Sequence, residues 1–388
     1  MIVAGGTYLE ICLRPAWRRL FGSGLRAAVA LARLSPGTVL HTYAHRNWAA
    51  DVVATARSFG CTALVSPSDD AISFSYVHPL SPAVRSPASF DRQKPLRVEG
   101  PVVLRYGMVE GEAVVRAGRA VYDHQGAEDV FPSNGSSATE LAVVLNEAEA
   151  SSEGIELDVK QVLHRHSAQI VVVKRGPRGA TVYTSRGAST EVPAYMSKQV
   201  FKIGSGDVFS AAFAHFWGEA NREPEAAADM ASRCVATFVE GHCLPLEAPS
   251  DSAHPIKPFG SAGRIYLAGP FFDLAQRWLV EEARQAFVEL GVRVFSPLHD
   301  VGTGLSSIEI AKADLDGLKA CAAVFALLDG ADPGTLFEVG YARALGKPVV
   351  CLAERWGAEE LTMFAGSGCE VLPDFATAVY RAAWASCS

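Results

Sequence analysis

Seven residues, Asp332-Pro-Gly-Thr-Leu-Phe-Glu338, hold the types and spacing best suited to chemistry in this chain. An apolar run, AAVFALLDG, precedes them and a second, KPVVCLA, follows. The first run has the length and composition of a buried strand. A helix is expected to open near Thr335, which places Glu338 on its first turn. Ligands of open α/β sheets bind beyond the carboxyl ends of the strands. A carboxylate there, with a second acid six residues earlier, suits glycosidic chemistry. Such chemistry uses one carboxylate as nucleophile and an acid or polar group to manage the leaving group. Plainer readings exist for each residue. An acid near a helix N-terminus is favoured by the helix dipole, and Asp, Pro and Gly are ordinary turn residues.

A second chemical signal is Gly204-Ser205-Gly206-Asp207, set before an apolar, helical stretch. Glycines let backbone amides point into a cavity, and a helix N-terminus adds partial positive charge, so the two together suit a phosphoryl group. An aspartate at that point can take a proton from an attacking hydroxyl. Four such residues alone are a weak signal, because glycine turns before helices are common.

These groups need a scaffold. A chain of 388 residues is long for one domain and points to two or three. Residues 245–263, PLEAPSDSAHPIKPFGSAG, have a linker's composition. They divide a domain over 1–244 from one over 264–388. The second domain reads as strand RIYLAG, helix 274–290, strand VRVFSP, helix 306–320, strand AAVFALL, helix 335–345, strand KPVVCLA and a last helix near 374–385. That pattern predicts a small parallel sheet covered on both faces, and the whole chain reads as α/β. No repeat links the halves. A formal charge of −7 argues against nucleic acid as a partner. No apolar run is long enough to span a membrane, and the opening MIVAGGTYLEI reads as a first strand and not a signal peptide. The eight scattered cysteines include no CxxC pair, as expected of reduced thiols in a cytoplasmic protein without a structural zinc.

Four segments from Arg264 onward, IYLAGPFF, FSPLHDVG, ADLDGLKACAAVFALLDG and DPGTLFEVGYARALGKPVV, together resemble the nucleoside 2-deoxyribosyltransferases and deoxynucleotide N-glycosidases. The resemblance implies a flavodoxin-like fold with no cofactor. It makes Glu338 the nucleophile at C1′, places Asp314 and Asp332 near the base and its leaving nitrogen, and has Tyr266 position the carboxylate. Gly269, His299 and Gly334 join the substrate-binding set; His299 can meet a phosphate or sugar hydroxyl, or only cap local backbone. Members of that family complete the sugar site from a partner subunit, so a homodimer or larger homo-oligomer is implied. Phe375, Tyr380 and Trp384 form an apolar stripe on the last helix that could seek such a partner or, as in most terminal helices of α/β domains, pack onto its own sheet; the partner is the expectation. The tail GSGCEVLPDFATAV offers no asparagine for that role, a departure that bears on sugar choice and on transfer against hydrolysis.

The first domain resembles the ribokinase-like, or PfkB, carbohydrate and nucleoside kinases. The resemblance rests on IVAGGTYLEI, GSGLRAAVALARL, VVLNEAEA, VVVKRGPRGATVY and GSGD, in that order. It implies that Asp207 is the base and that the amides of Gly204, Ser205 and Gly206 form an anion hole. Asn146 and Glu149 match an element that organises magnesium and phosphates, so ATP and magnesium are implied if the domain is active. The departures are Phe201-Lys202 in place of Asp-Thr, Glu10 where an early aspartate is expected, and Gly22-Ser-Gly24-Leu-Arg26 in the opening glycine motif. Lys202 can supply a point charge to a phosphate. The combined expectation is an enzyme of nucleoside or nucleotide metabolism that cleaves or transfers an N-glycosidic bond, fused to a domain that binds or phosphorylates a nucleoside or sugar. The alternatives are a kinase with a regulatory C-terminal domain, an NAD-type glycohydrolase, and a nucleotide sensor without catalysis.

Overall fold

Runs rich in Val, Ile and Leu become the strands of two separate cores, as residues that fit a pleated, buried surface do. The computed structural model describes residues 1–126, 130–150, 158–256, 263–302 and 304–387. The chain forms two units, Met1–Pro255 and Ile256–Ser388.

The first unit contains β1 (Ile2–Ala4), β2 (Leu9–Cys12), β3 (Trp17–Leu20), α1 (Gly22–Leu31), β4 (Val39–His45), α2 (Ala49–Ser58), β5 (Thr62–Ser68), β6 (Ser73–Tyr76), β7 (Val84–Ser86), β8 (Leu96–Tyr106) and β9 (Ala113–Asp123). It continues with β10 (Ser137–Asn146), α3 (Glu147–Ala150), α4 (Val159–His166), β11 (Ile170–Lys174), β12 (Ala180–Thr184), β13 (Ser189–Val192), α5 (Ser205–Phe213) and α6 (Pro224–Gly241). Nine strands make one sheet in the order β13-β12-β11-β10-β9-β8-β1-β4-β5. Its seven strands from β5 to β11 are parallel, and β12 and β13 are antiparallel additions. The chain builds outward from β1 through β4 to β5, then returns to lay β8 on the other side of β1. The strand order therefore reverses between β1 and β8, which opens a crevice beyond their carboxyl ends. A four-stranded sheet, β3-β2-β6-β7, is built from segments that leave the main sheet after β1 and after β5.

Residues 245–255, read in the sequence as part of a linker, are bonded to the first unit. The Leu246 amide donates to the Ala30 carbonyl and the Met196 amide to the His254 carbonyl. The later linker positions, 257–262, lie outside the described residues.

The second unit contains β14 (Ile265–Ala268), α7 (Leu274–Glu289), β15 (Val294–Phe295), α8 (Ser307–Ala320), β16 (Ala323–Leu327), α9 (Pro333–Ala344), β17 (Val349–Leu352), α10 (Thr362–Gly366), β18 (Glu370–Leu372) and α11 (Phe375–Ala385). Its sheet is all parallel in the order β15-β14-β16-β17-β18. That is the second-first-third-fourth-fifth order of the flavodoxin-like fold, whose switch point lies between the first and third strands. Every residue of β14, β16 and β17 is buried, which explains the unbroken apolar runs in the sequence.

One expectation about this unit is overturned. Phe375, Tyr380 and Trp384 are buried, at 7%, 6% and 7% exposure. α11 packs on β16, β17 and β18 of its own sheet and against α7. The helix is apolar around most of its circumference, so the stripe is core and offers no surface to a partner.

Candidate active sites

In the second unit the switch point between β14 and β16 gathers the chemistry. β14 supplies Tyr266, and the segment after β16 supplies Asp332 and Glu338. The Tyr266 hydroxyl donates to Glu338 Oε1 at 2.6 Å. Burial raises the Tyr266 phenol far above its usual value, and the Glu338 charge adds to it, so the proton in that bond stays on the tyrosine. The Tyr266 ring stacks on Phe295 at 5.4 Å, which fixes its direction. Burial pushes the Glu338 carboxyl up to about 7 against the Tyr266 hydrogen bond, and the charges of Asp314 and Asp332 push it the same way. Asp314, on α8, has its Oδ1 buried with no hydrogen-bond partner among the described residues, and burial raises its carboxyl too. Tyr266, Asp314, Asp332 and Glu338 are thus electrostatically coupled, although they lie on three separate segments.

The remaining candidates of this unit fall less close together. Asp332 is the N-cap of α9, and its Oδ2 accepts from the Thr335 amide at 2.7 Å and the Thr335 hydroxyl at 2.8 Å. With Pro333 at the first helical position, the helix opens two residues earlier than expected, and Glu338 lies in its second turn and not its first. Proline is pre-set for that position and the aspartate satisfies a first-turn amide. Both ring nitrogens of His299 are engaged, Nδ1 with Ser296 Oγ at 2.9 Å and Nε2 with Glu281 Oε1 at 2.7 Å. Neither partner belongs to the Glu338 group. Gly269 follows β14, where an added Cβ would stand 3.0 Å from Leu327 Cδ1. At Gly334 an added Cβ would stand 3.1 Å from Asp332 Oδ2.

In the first unit Gly204 caps α5 with a φ of 80°. That left-handed conformation favours glycine, and an added Cβ would also overlap the Arg26 guanidinium. The Ser205 amide donates to the Lys202 carbonyl at 2.9 Å, so it is not directed outward as expected for an anion hole. Lys202 is exposed and Phe201 is buried against Cys12, Ile203, Trp17 and Tyr76. The Asp207 carboxylate is held on both oxygens, by Arg26 Nη1 at 2.6 Å and by Gln125 Nε2 at 2.7 Å. Arg26 also binds Glu10 Oε2, and Glu10 Oε1 accepts from the Gly22 amide at 3.1 Å. Burial raises the Asp207 carboxyl, and the Arg26 charge opposes that. Asn146 and Glu149 are tied to each other, each side chain accepting from the other's amide at 2.8 and 2.7 Å.

Several groups here had no signal in the sequence. Arg26 joins β2, α1 and α5 through its two carboxylates. Asp123, at the end of β9, is fully buried; its Oδ2 accepts from Lys174 Nζ at 2.8 Å and Ser210 Oγ at 2.5 Å, while its Oδ1 has no partner among the described residues. A cavity of about 690 Å³ opens at the β1/β8 crevice. Its walls include Tyr8, Phe74, Tyr76 and Met108, with Glu10, Ser23, Gln125 and Asp207 on its polar side. Ser23 Oγ is buried there without a hydrogen-bond partner among the described residues, and the volume suits a small metabolite. Among the described residues no three His, Cys, Asp or Glu side chains converge as a metal cage. Magnesium bound with a phosphate donor keeps several waters and needs only one or two carboxylates. The unpartnered oxygen of Asp123, with Glu149 beside it, fits that requirement.

Known proteins resemble both halves. Residues 136–244 match the pfkB family carbohydrate kinase model. Residues 265–368 match the nucleoside 2-deoxyribosyltransferase model. Two enzyme-family models thus match separate parts of this chain. The pfkB match covers β10 to α6 and agrees, with the parallel sheet, with the ribokinase-like α/β class expected of the first unit. The transferase match runs from β14 to the end of α10. A 62-residue stretch, 16% of this chain, is 39% identical to 5-dehydro-2-deoxygluconokinase of Listeria monocytogenes serotype 4a (strain HCC23), and it spans only 19% of that protein's length. Among solved structures, ribokinase from Thermotoga maritima is similar over 64% of this chain and 96% of that one, at 17% identity and a TM-score of 0.45. A pyrophosphate-dependent kinase in the ribokinase family, complexed with a pyrophosphate analog and myo-inositol, is similar over 64% and 98%, at 16% identity and 0.46.

Proposed function

We propose that the transferase-family unit cleaves or exchanges the N-glycosidic bond of a nucleoside or nucleotide, with Glu338 as nucleophile. The hydrogen bond from Tyr266 to Glu338 at the sheet's switch point is the observation that carries this reading. It leaves one carboxylate oxygen for attack and fixes the direction of the other. As the bond from C1′ to the base nitrogen breaks, positive charge builds on the sugar and Glu338 forms an ester at C1′. Asp314 is the group placed to assist the departing base, because it is close enough to Glu338 to act on its charge and keeps a buried carboxyl oxygen without a partner among the described residues. Water or a second base then attacks C1′ and releases Glu338. Asp332 assists through its charge while capping α9. Mass analysis of protein quenched during turnover should find a sugar adduct on the peptide that contains Glu338. An adduct elsewhere, or base release with no dependence on Glu338, would remove the assignment.

The pfkB-family unit is read as a phosphoryl-transfer domain for a small hydroxylated metabolite, a nucleoside or a sugar. The cavity at the β1/β8 crevice, with the Asp207 carboxylate in its wall, favours it. The Arg26 charge opposes the effect of burial and favours the ionised form of Asp207, the form that takes the proton of the attacking hydroxyl. ATP with magnesium is the expected donor, and the metal would screen the charge of the phosphates. The shared metabolite of the two units is a nucleoside or its sugar. A cytoplasmic setting fits the eight cysteines, none of which forms a disulfide among the described residues.

A further inference from the structure

The cation expected at the phosphate site was Lys202, but a different lysine faces the glycine turn. The carboxyl ends of β9, β10 and β11 bring Asp123, Asn146 and Lys174 side by side, with Asn146 and Lys174 in register. A Cβ added to Gly206, at the second position of α5, would have Lys174 Nζ as its nearest neighbour at 3.4 Å. The lysine side chain is only 16% exposed, and the carboxylate that holds it, Asp123, is fully buried. Lys174 Nζ donates to Asp123 Oδ2 at 2.8 Å.

The first-turn amides of a helix have no partners inside the helix. With the Ser205 amide spent on the Lys202 carbonyl, the anion-binding end of α5 centres on Gly206. A buried ammonium beside that glycine has no apolar role. Asp123 also keeps its other oxygen without a partner among the described residues, so the pair is open on the side of the phosphate site.

We infer that Lys174 is a catalytic residue of the phosphoryl-transfer unit, contacting the terminal phosphate of a phosphoanhydride donor beside Gly206. The inference rests on the kinase reading of this unit. In the step it serves, the acceptor hydroxyl gives its proton to Asp207 and its oxygen bonds to phosphorus. The bond from phosphorus to the bridging oxygen breaks, the phosphate or nucleoside diphosphate leaves with that electron pair, and Lys174 meets the charge on the oxygens of the phosphoryl group in transfer. Asp123 and Ser210 aim the ammonium, so Asp123 is a positioning residue.

The test is calorimetric binding of a non-hydrolysable ATP analogue and of inorganic pyrophosphate, each with magnesium. The proteins compared are the full-length wild type, Lys174→Gln and the double variant Lys174→Gln/Asp123→Asn. Glutamine keeps a hydrogen bond to Asp123 without the charge, and the double variant removes both charges together, which protects the fold. Wild type should bind at least one of the two donors, and which one it binds separates a nucleotide from pyrophosphate as the source of the phosphate. Both variants should bind that donor at least tenfold more weakly while their thermal midpoints stay within a few degrees of wild type. Undiminished binding by the folded variants overturns the role of Lys174 and leaves the kinase reading standing. Wild type that binds neither donor overturns the kinase reading and this inference with it.

Discussion

Glu338 carries opposite demands, and they can be measured apart. Its carboxyl lies near 7 in the folded protein against an ordinary value of 4.5. Between those values the folded state holds a proton that the unfolded state has lost. Stability therefore falls as pH rises through this window, and the penalty is complete above about 7. Glu338→Gln should raise the melting temperature by about 2 °C at pH 8 and leave it nearly unchanged at pH 4; an equal change at both values would show that the penalty is not electrostatic. Base release needs the ionised carboxylate, so the rate should fall on the acid side of about 7. Tyr266→Phe removes the bond that favours ionisation, and the acid limb should move upward, on the order of one pH unit. A limb that stays in place in the pH profile would separate Tyr266 from the titration. In the other unit, Asp207→Asn should end phosphoryl transfer while donor binding survives, because the amide keeps the shape but takes no proton. Transfer that persists in a coupled assay would exclude Asp207 as the base. At this scale the sequence was informative where chemistry sits in one short run, as in DPGTLFE or GSGD. It was silent on Arg26, Asp123 and Lys174, because their partners are remote. Arg26 lies 16 and 181 residues from its two carboxylates, and Lys174 lies 51 from Asp123.

At the scale of elements, α9 shows how one residue can satisfy two readings. Asp332 caps the helix, and Asn caps as well as Asp. Asp332→Asn should therefore leave the melting temperature in place, whereas Asp332→Ala should lose about 1 kcal/mol. If Asp332 also aids the leaving base, the asparagine variant will show a reduced rate with intact stability. Equal rates in wild type and Asp332→Asn would reduce Asp332 to a cap. The major strands and helices of the second unit follow the expected sequence, because β14, β16 and β17 are buried on both faces and flanked by amphipathic helices. β18 and α10 were not anticipated. β18 is three residues long and only partly buried, and α10 spans five residues, so neither shows a period that sequence reading can use. The tail stripe on α11 illustrates the converse: periodicity located the apolar side chains, but only packing decided that they face the chain's own sheet.

At the scale of the whole molecule, two units share a chain, and the chemistries proposed for them are separable. Asp207→Asn should leave base release unchanged, and Glu338→Gln should leave phosphoryl transfer unchanged. The second unit still presents apolar side chains to solvent, among them Phe272, Leu274, Ile308, Phe337 and Met363, each more than 60% exposed. With α11 committed to the core, these residues are the better surface for association. Light scattering at micromolar concentration should find at least a dimer, and Phe337→Ser should weaken it; a fully active monomer would leave each Glu338 site complete within one chain. The central claim is that Glu338 breaks a glycosidic bond. Its most direct test is chromatographic measurement of free base from a panel of nucleosides, nucleotides and NAD, comparing wild type with Glu338→Gln at pH 8. Wild type should release base from at least one of these compounds, and the variant should be slower by about three orders of magnitude or more, each tenfold being about 1.4 kcal/mol of barrier. Base release by the variant at close to the wild-type rate, or none by wild type across the panel, would contradict the account.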